Sequence, residues 1–433
     1  MTLIKEKAGI LNSFKRGKLS ALRPKKTGSG PLFNNLVKAL TPDVKQKLEG
    51  GIPYNAPLAV LDYPLELVVK QKALQRFWNQ QVLPGHPGSL VASPKSRQYR
   101  TTSKRKAKLQ GGILYLHFGD KLPKIQKAPF LPSPLEPAAH TAIYRFLQRR
   151  LSEPAFRLVA GHLNYLIIRG NYEEQAVIFN VDDISGPLIH KLKILAKGLR
   201  ELPEEVNAAF VYPDPSHSKY YLESRRPADI LKFKKLFGPN QLSLNIGGTY
   251  LFHPTSFSQV NESIIPPMLE VVRKLLSLGA DSNRLLDLYC GYGLFSHYLA
   301  PDYKEIIGID AEGPSIKAAA ANSRHFKIGG RRRFLARHIS AQALDDLLPP
   351  ALGAESVILD PPRQGPVAGV ISALCRRRPQ RAVHIFCGVD QIPASLKEWQ
   401  GNGYRVEEVV PLDMFPGSAN LEVVVLLTPS ARQ

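Results

Sequence analysis

From about residue 240 onward, short apolar runs with strand character alternate with helical stretches, and each run gives out on a polar or charged residue. The runs include "RLLDL" (284–288), "EIIGID" (305–310), "SVILD" (356–360), "RAVHIFC" (381–387) and "EVVVLL" (422–427). Near-continuous apolar strands need cover on both faces, so this half of the chain is expected to form an α/β, doubly wound, mostly parallel sheet. Such a sheet takes its ligand in the crevice outside the carboxyl ends of its strands, where the strand order reverses. The residues at the strand ends are therefore the informative ones.

"DLYCGYG" (287–293) follows the first of these strands. Gly291 and Gly293 allow a close backbone approach to a ligand, with Asp287 and Tyr289 beside them. The second strand ends in Asp310, 23 residues after Asp287, where an acid commonly binds ribose hydroxyls. An adenosine-bearing cofactor is expected. The turn is not G-x-G-x-x-G, because Ser occupies position 296, so no glycine pattern prepares a pyrophosphate site. "DPPRQGP" (360–366) puts Asp360 on a corner that Pro361 and Pro362 close to both helix and ladder pairing. Cys387 ends the next strand, and Glu422 is the only charge in "NLEVVVLL". Singly, a strand cysteine is usually a small hydrophobe and such a glutamate a solvent-side cap. Together they set a thiol and a carboxylate at one end of one sheet.

The rest of the chain differs in character. Lys and Arg number 58 against 36 acids, a formal net charge of +22, and residues 1–130 hold 24 of the bases with only 6 acids. A polyanionic partner follows, with RNA contact assigned chiefly to the first third. Residues 1–30 read as a basic, flexible or weakly helical arm, and 35–82 as short helices; 1–82 is taken as a basic N-terminal region. "KSRQYRTTSKRKAK" (95–108) interleaves Tyr99 with seven basic residues, a composition suited to phosphates and a stacked base. Lys95, Arg97, Tyr99, Arg100, Lys104 and Arg105 are its candidate RNA contacts. Residues 156–214 read strand, strand, helix, strand, so 83–240 is taken as an α+β RNA-binding domain with helices on one face of its sheet, and 241–433 as the catalytic domain.

Four stretches in order, "FSQVN" (257–261), "LDLYCGYG" (286–293), "DPPRQG" (360–365) and "LDMFP…LE" (412–422), with "FC" (386–387) between the last two, resemble the TrmA-type S-adenosylmethionine-dependent RNA uracil-C5 methyltransferases. The resemblance covers the C-terminal two-thirds and implies a Rossmann-like class I methyltransferase sheet acting on tRNA or ribosomal RNA. It implies that Gln259, the Gly291/Gly293 turn, Asp310 and Asp360 surround S-adenosylmethionine, that Cys387 is the nucleophile and that Glu422 is the base. The chain departs from the family in having Gly388-Val389 where Asn-Pro usually follows the cysteine, and Asn420 where a histidine usually precedes the glutamate. Arg363 either holds negative charge or RNA backbone, or simply pairs with Asp360.

Three cysteines, Cys290, Cys375 and Cys387, none in a CxxC spacing, exclude a disulfide framework, a four-cysteine zinc site and a cysteine-ligated iron–sulfur cluster. The histidines lack metal-ligand spacing, and no metal is expected. No run reaches the roughly 18–20 apolar residues of a membrane span. The expectation is a cytoplasmic monomer; a targeting or membrane-surface role for the basic start is the lesser reading. The competing functions are methylation of another base or atom, and a non-catalytic RNA-binding protein of the same fold.

Overall fold

The computed structural model describes residues 32–42, 56–119, 128–215, 233–277, 283–311, 313–327, 329–351 and 354–430. The arm expected over 1–30 lies outside them. Two helices open the described chain, α1 (Phe33–Leu40) and α2 (Tyr63–Gln80). Then come β1 (Thr102–Gln110), β2 (Ile113–His117), α3 (Ala138–Leu151), α4 (Arg157–His162), β3 (Leu163–Gly170), β4 (Gln175–Val181), α5 (Gly186–Arg200), β5 (Val206–Pro213) and β6 (Lys234–Phe237). Their strands form a six-stranded sheet of order β2-β1-β3-β4-β5-β6, antiparallel except where α5 makes β4 and β5 parallel. Residues 157–162, expected from the sequence to lie in a strand, are helical, and the strand begins at Leu163.

A small hairpin, β7 (Leu242–Asn245) and β8 (Thr249–Phe252), leads into α6 (Ile265–Leu276) and the second sheet. Its elements are β9 (Arg284–Leu288), α7 (Leu294–Tyr298), β10 (Glu305–Asp310), α8 (Gly313–His325), β11 (Arg331–Ala336), α9 (Ala341–Leu347), β12 (Glu355–Leu359), α10 (Val370–Arg376), β13 (Arg381–Phe386), α11 (Ile392–Gly401), β14 (Tyr404–Leu412) and β15 (Glu422–Pro429). The strand order is β11-β10-β9-β12-β13-β15-β14. β15 alone runs antiparallel, to both β13 and β14, so its first residue shares an end with the last residues of the others. The order reverses between β9 and β12, the place where such sheets bind ligands.

Period-two alternation divides the core. On the six-stranded sheet, Leu166, Ile168, Val177, Phe179, Ala209 and Val211 pack with α3, α4 and α5, so the helices cover one face. Tyr165, Ile167, Ile178, Phe210 and Tyr212 turn the other way, into a core shared with β7, β8, α6 and one face of the seven-stranded sheet. On the opposite face of that second sheet, Phe33, Val37, Val69, Leu74, Phe77 and Trp78 pack with Leu286, Leu359, Phe386 and Val423. Helices α1 and α2 thus complete the C-terminal sheet. In packing terms residue 82 is not a boundary, because the apolar stripe of α2 has its buried partner more than two hundred residues away.

Candidate active site

The strand register assembles the reactive groups. Phe386 pairs with Val423 in the antiparallel β13–β15 ladder, so the next residue of one strand, Cys387, lies across from the preceding residue of the other, Glu422. Directly opposed residues share a face, with Cβ atoms about 4.5–5.5 Å apart. Alternation fixes which face. Cys387 follows Val383 and Ile385, Glu422 precedes Val424 and Leu426, Asp360 follows Ile358, and Asp287 follows Leu285, all of which point into the core between the two sheets. Asp310 shares the parity of Ile306 on β10. Five polar groups therefore gather on one face at the carboxyl end.

Their electrostatics follow from that crowding. Glu422 is 2% exposed; burial first, then the Asp360 carboxylate, lifts it to about 8, with Arg363 acting against the shift. Glu422 Oε2 is buried without a hydrogen-bond partner, which leaves an acceptor in reserve. Asp360 is raised to about 7 by burial and by the nearby Asp287 and Asp310. Burial raises the Cys387 thiol to about 12, with Asp360 and Glu422 adding to the shift and Arg363 opposing it. The thiol is half-buried, with Sγ 3.9 Å from the Pro361 carbonyl. The exposed Arg363 side chain is thus the cation that favours both anions, while its own carbonyl accepts a hydrogen bond from Gln391 Nε2.

The β9–α7 turn forms a cradle. Gly291 adopts φ +56° with nothing within 4 Å of a would-be Cβ, and at Gly293 (φ +86°) a Cβ would come within 2.6 Å of His297 Nε2. The Gly291 amide donates to Asp310 Oδ2 at 2.9 Å, fixing that carboxylate beside the glycine backbone. Tyr289 sits at φ +65°, a conformation that costs a non-glycine residue about 1–3 kcal/mol and clusters at ligand sites. Asp287 turns inward, accepting from the Ser296 amide at 3.1 Å and hydroxyl at 2.6 Å, so that it fastens the start of α7. Its Oδ1 is buried and unpartnered. Gln259 is 7% exposed, in a loop braced by Arg169, which donates to the carbonyls of Pro254 and Ser256 and to Ser258 Oγ. An open glycine surface next to a fixed carboxylate suits an adenosine: ribose hydroxyls have an acceptor, and the acidic crevice beyond suits a cationic sulfur.

The basic stretch departs from the sequence-based expectation at two positions. Tyr99 is 0% exposed and its hydroxyl donates to the Pro416 carbonyl at 2.9 Å, so it offers no ring to a base. Arg105 is 1% exposed, in a two-armed ion pair with Glu136 at 2.6 and 2.8 Å. The cause is that residues 102–110 form a strand, on which Ser103, Arg105 and Ala107 face the helices. Arg97 is half-buried and engaged by Glu66 Oε2 and the Leu61 carbonyl. Arg100 is half-buried, Lys104 lies 5.1 Å from the Tyr165 ring, and the exposed Lys95 lies 3.7 Å over the Tyr172 ring. Sequence reasoning missed Glu66, Lys70 and Asp413, a buried charge cluster. Their signal was present: Glu66 and Lys70 occupy the same i, i+4 stripe as Ala73, Leu74 and Phe77 on α2.

The reversing strand order, the glycine cradle and the acidic strand ends have the arrangement of the class I methyltransferase fold. A solved tRNA (uracil-54, C5)-methyltransferase from Pyrococcus abyssi, in complex with S-adenosyl-L-homocysteine, has the same fold: the TM-score is 0.65 at 23% identity, over 87% of this chain and 86% of that one. Residues 240–430 match the family described as tRNA (Uracil-5-)-methyltransferase. An uncharacterized RNA methyltransferase of Geobacter sulfurreducens is 25% identical over 92% of this chain and 81% of its own length. The 23S rRNA (uracil(1939)-C(5))-methyltransferase RlmD of Pseudomonas putida is 29% identical over 54% of this chain; the aligned part is 50% of that protein.

Proposed function

We propose that the protein transfers a methyl group from S-adenosylmethionine to C5 of a uridine in tRNA or ribosomal RNA. The observation that carries the reading is that Cys387 and Glu422 stand next to the last pair, Phe386–Val423, of one ladder, close to each other and to Asp360, within residues that match this family. Gln259, Tyr289, Gly291, Gly293, Asp310 and Asp360 are the residues that would hold the cofactor, with Asp287 fastening their turn. When bound, S-adenosylmethionine supplies an electrophilic methyl on a cationic sulfur.

Uracil C5 is too weak a nucleophile to act unaided. Cys387 Sγ adds to C6, which places carbanion character on C5; after methylation C5 still carries its proton. Glu422 removes that proton, the C5–C6 double bond re-forms, and the thiolate leaves. The raised thiol means that Cys387 must be deprotonated as it attacks, or ionised by cations brought with the ligands. Arg363 at the rim is the protein's own contribution to that charge. A uridine within folded RNA must swing out of its stack to reach this buried face, at a cost of a few kcal/mol. Contacts from the basic N-terminal third to phosphates offset that cost.

The test is incubation with tritiated S-adenosylmethionine and total unmodified RNA, followed by nucleoside analysis. Label in 5-methyluridine that falls by at least about a thousandfold in Cys387→Ala is the expected result. Label in another nucleoside, or equal label from the variant, rejects the covalent route.

A further inference from the structure

Glu422 is reached through residues 413–421, the connection from β14 to β15. Apart from Asn261 Nδ2, which donates to the Met414 carbonyl at 3.1 Å, the partners described below come from the first hundred residues of the chain. Lys70 Nζ donates to Asp413 Oδ1 at 2.7 Å and to the Phe415 carbonyl at 3.1 Å, and pairs with Glu66 Oε1 at 2.7 Å. The Lys70 and Glu66 side chains are 0% exposed. Glu66 Oε1 also accepts from the Gly417 amide at 2.5 Å, while Arg97 Nη1 approaches Glu66 Oε2 at 3.1 Å. The Tyr99 hydroxyl donates to the Pro416 carbonyl, the Leu58 amide to the Gly417 carbonyl, and the Asp413 amide to the Val91 carbonyl, each at 2.9 Å.

Burying such a cluster is no gain in stability over apolar side chains of similar volume. What it adds is direction: the Lys70 ammonium, with three oxygen partners, fixes the carboxylate of Asp413 and the Phe415 carbonyl, while Glu66 holds the Gly417 amide. We propose that Lys70, together with Glu66, is a positioning residue for the proton abstraction that completes the reaction, holding the loop that sets Glu422 opposite Cys387. This rests on the reading of Glu422 as the base. It also gives α2, which lies outside the family-matched residues 240–430, a part in the chemistry.

The step affected is late, so its failure leaves a signature. Without proton removal the methylated uridine stays bound to Cys387, and tritium from S-adenosylmethionine stays on the protein band in a denaturing gel, in a form released by ribonuclease digestion only as far as the attached nucleotide. Full-chain Glu422→Gln, Lys70→Met and Tyr99→Phe are compared with wild type, using the same total unmodified RNA and checking each variant for native melting. The expected result is strong retention of label in Glu422→Gln and weaker retention in Lys70→Met, whose kcat and KM for S-adenosylmethionine fall together about 10- to 100-fold while kcat/KM stays within about twofold. A few-fold effect of the same kind is expected for Tyr99→Phe, which removes one bond to the loop and decides the matter if Lys70→Met does not fold. Retention in Glu422→Gln but in neither of the folded loop variants overturns the positioning role. Absence of retention in Glu422→Gln overturns the base assignment itself, and the inference with it.

Discussion

Glu422 and Cys387 hold their protons more tightly than free carboxyl and thiol groups do, for the same reason: both lie in a crowded, partly dry acidic corner. A base raised to about 8 is mostly protonated at neutrality. The rate at which the wild type releases the methylated adduct from Cys387 should therefore climb with pH up to about 8, and a release rate that is flat between 6 and 8 would contradict that. The same group costs stability once it ionises. Its folded value lies above the unfolded one, so the folded state binds the extra proton between about 4.5 and 8, and stability declines as pH rises through that window. Glu422→Gln should consequently raise Tm at pH 9, on the order of 2 kcal/mol in stability, and leave it unchanged near pH 4. Thermal melts at the two pH values check this.

At the level of elements, β1 separates two kinds of basic residue that look alike in sequence. Arg105 is committed inward to Glu136, and Arg105→Ala leaves a buried carboxylate unpaired at a cost of about 3–5 kcal/mol. Denaturant titration should show that drop in stability. Lys104→Ala, one residue earlier on the opposite face, should leave the melting curve within about 0.5 kcal/mol of wild type. The C-terminal strands were legible because their apolar runs end on the candidate residues themselves: Asp310, Asp360, Cys387 and Glu422 could be read straight from the ends of runs. The basic stretch was less legible, since composition cannot tell a loop from a strand whose alternate cations are paired. Tyr99 was misread for a related reason. An aromatic among cations suggests stacking, but its hydroxyl had an unseen partner in the Pro416 carbonyl. Glu66 and Lys70 escaped notice because charges on a helix suggest solvent, and only the distant residues 413–417 reveal that they are covered.

For the whole molecule, the proposed function makes the charge asymmetry the means by which RNA would be gathered. Residues 1–31 carry eight Lys or Arg and one Glu. The logarithm of RNA affinity should fall linearly with log salt, and each single-strand phosphate that residues 1–31 neutralise should add about 0.7 to the steepness of that line. A chain lacking residues 1–31 should show a shallower slope and a higher KM for RNA, with kcat within about twofold of the full chain. Filter binding at several salt concentrations measures the first, and steady-state rates the second. No helix among the described residues is long and apolar enough to cross a membrane. The candidate face of the second sheet packs toward the six-stranded sheet, and α2 covers the opposite face. Because Cys387 and Glu422 face each other only through an odd–even rule, the fold should tolerate length changes in β13 or β15 unequally. Deleting two residues from either strand would keep the pair on a common side, whereas deleting one would turn a single member through half a revolution and leave a well-folded sheet with its chemistry split between opposite surfaces.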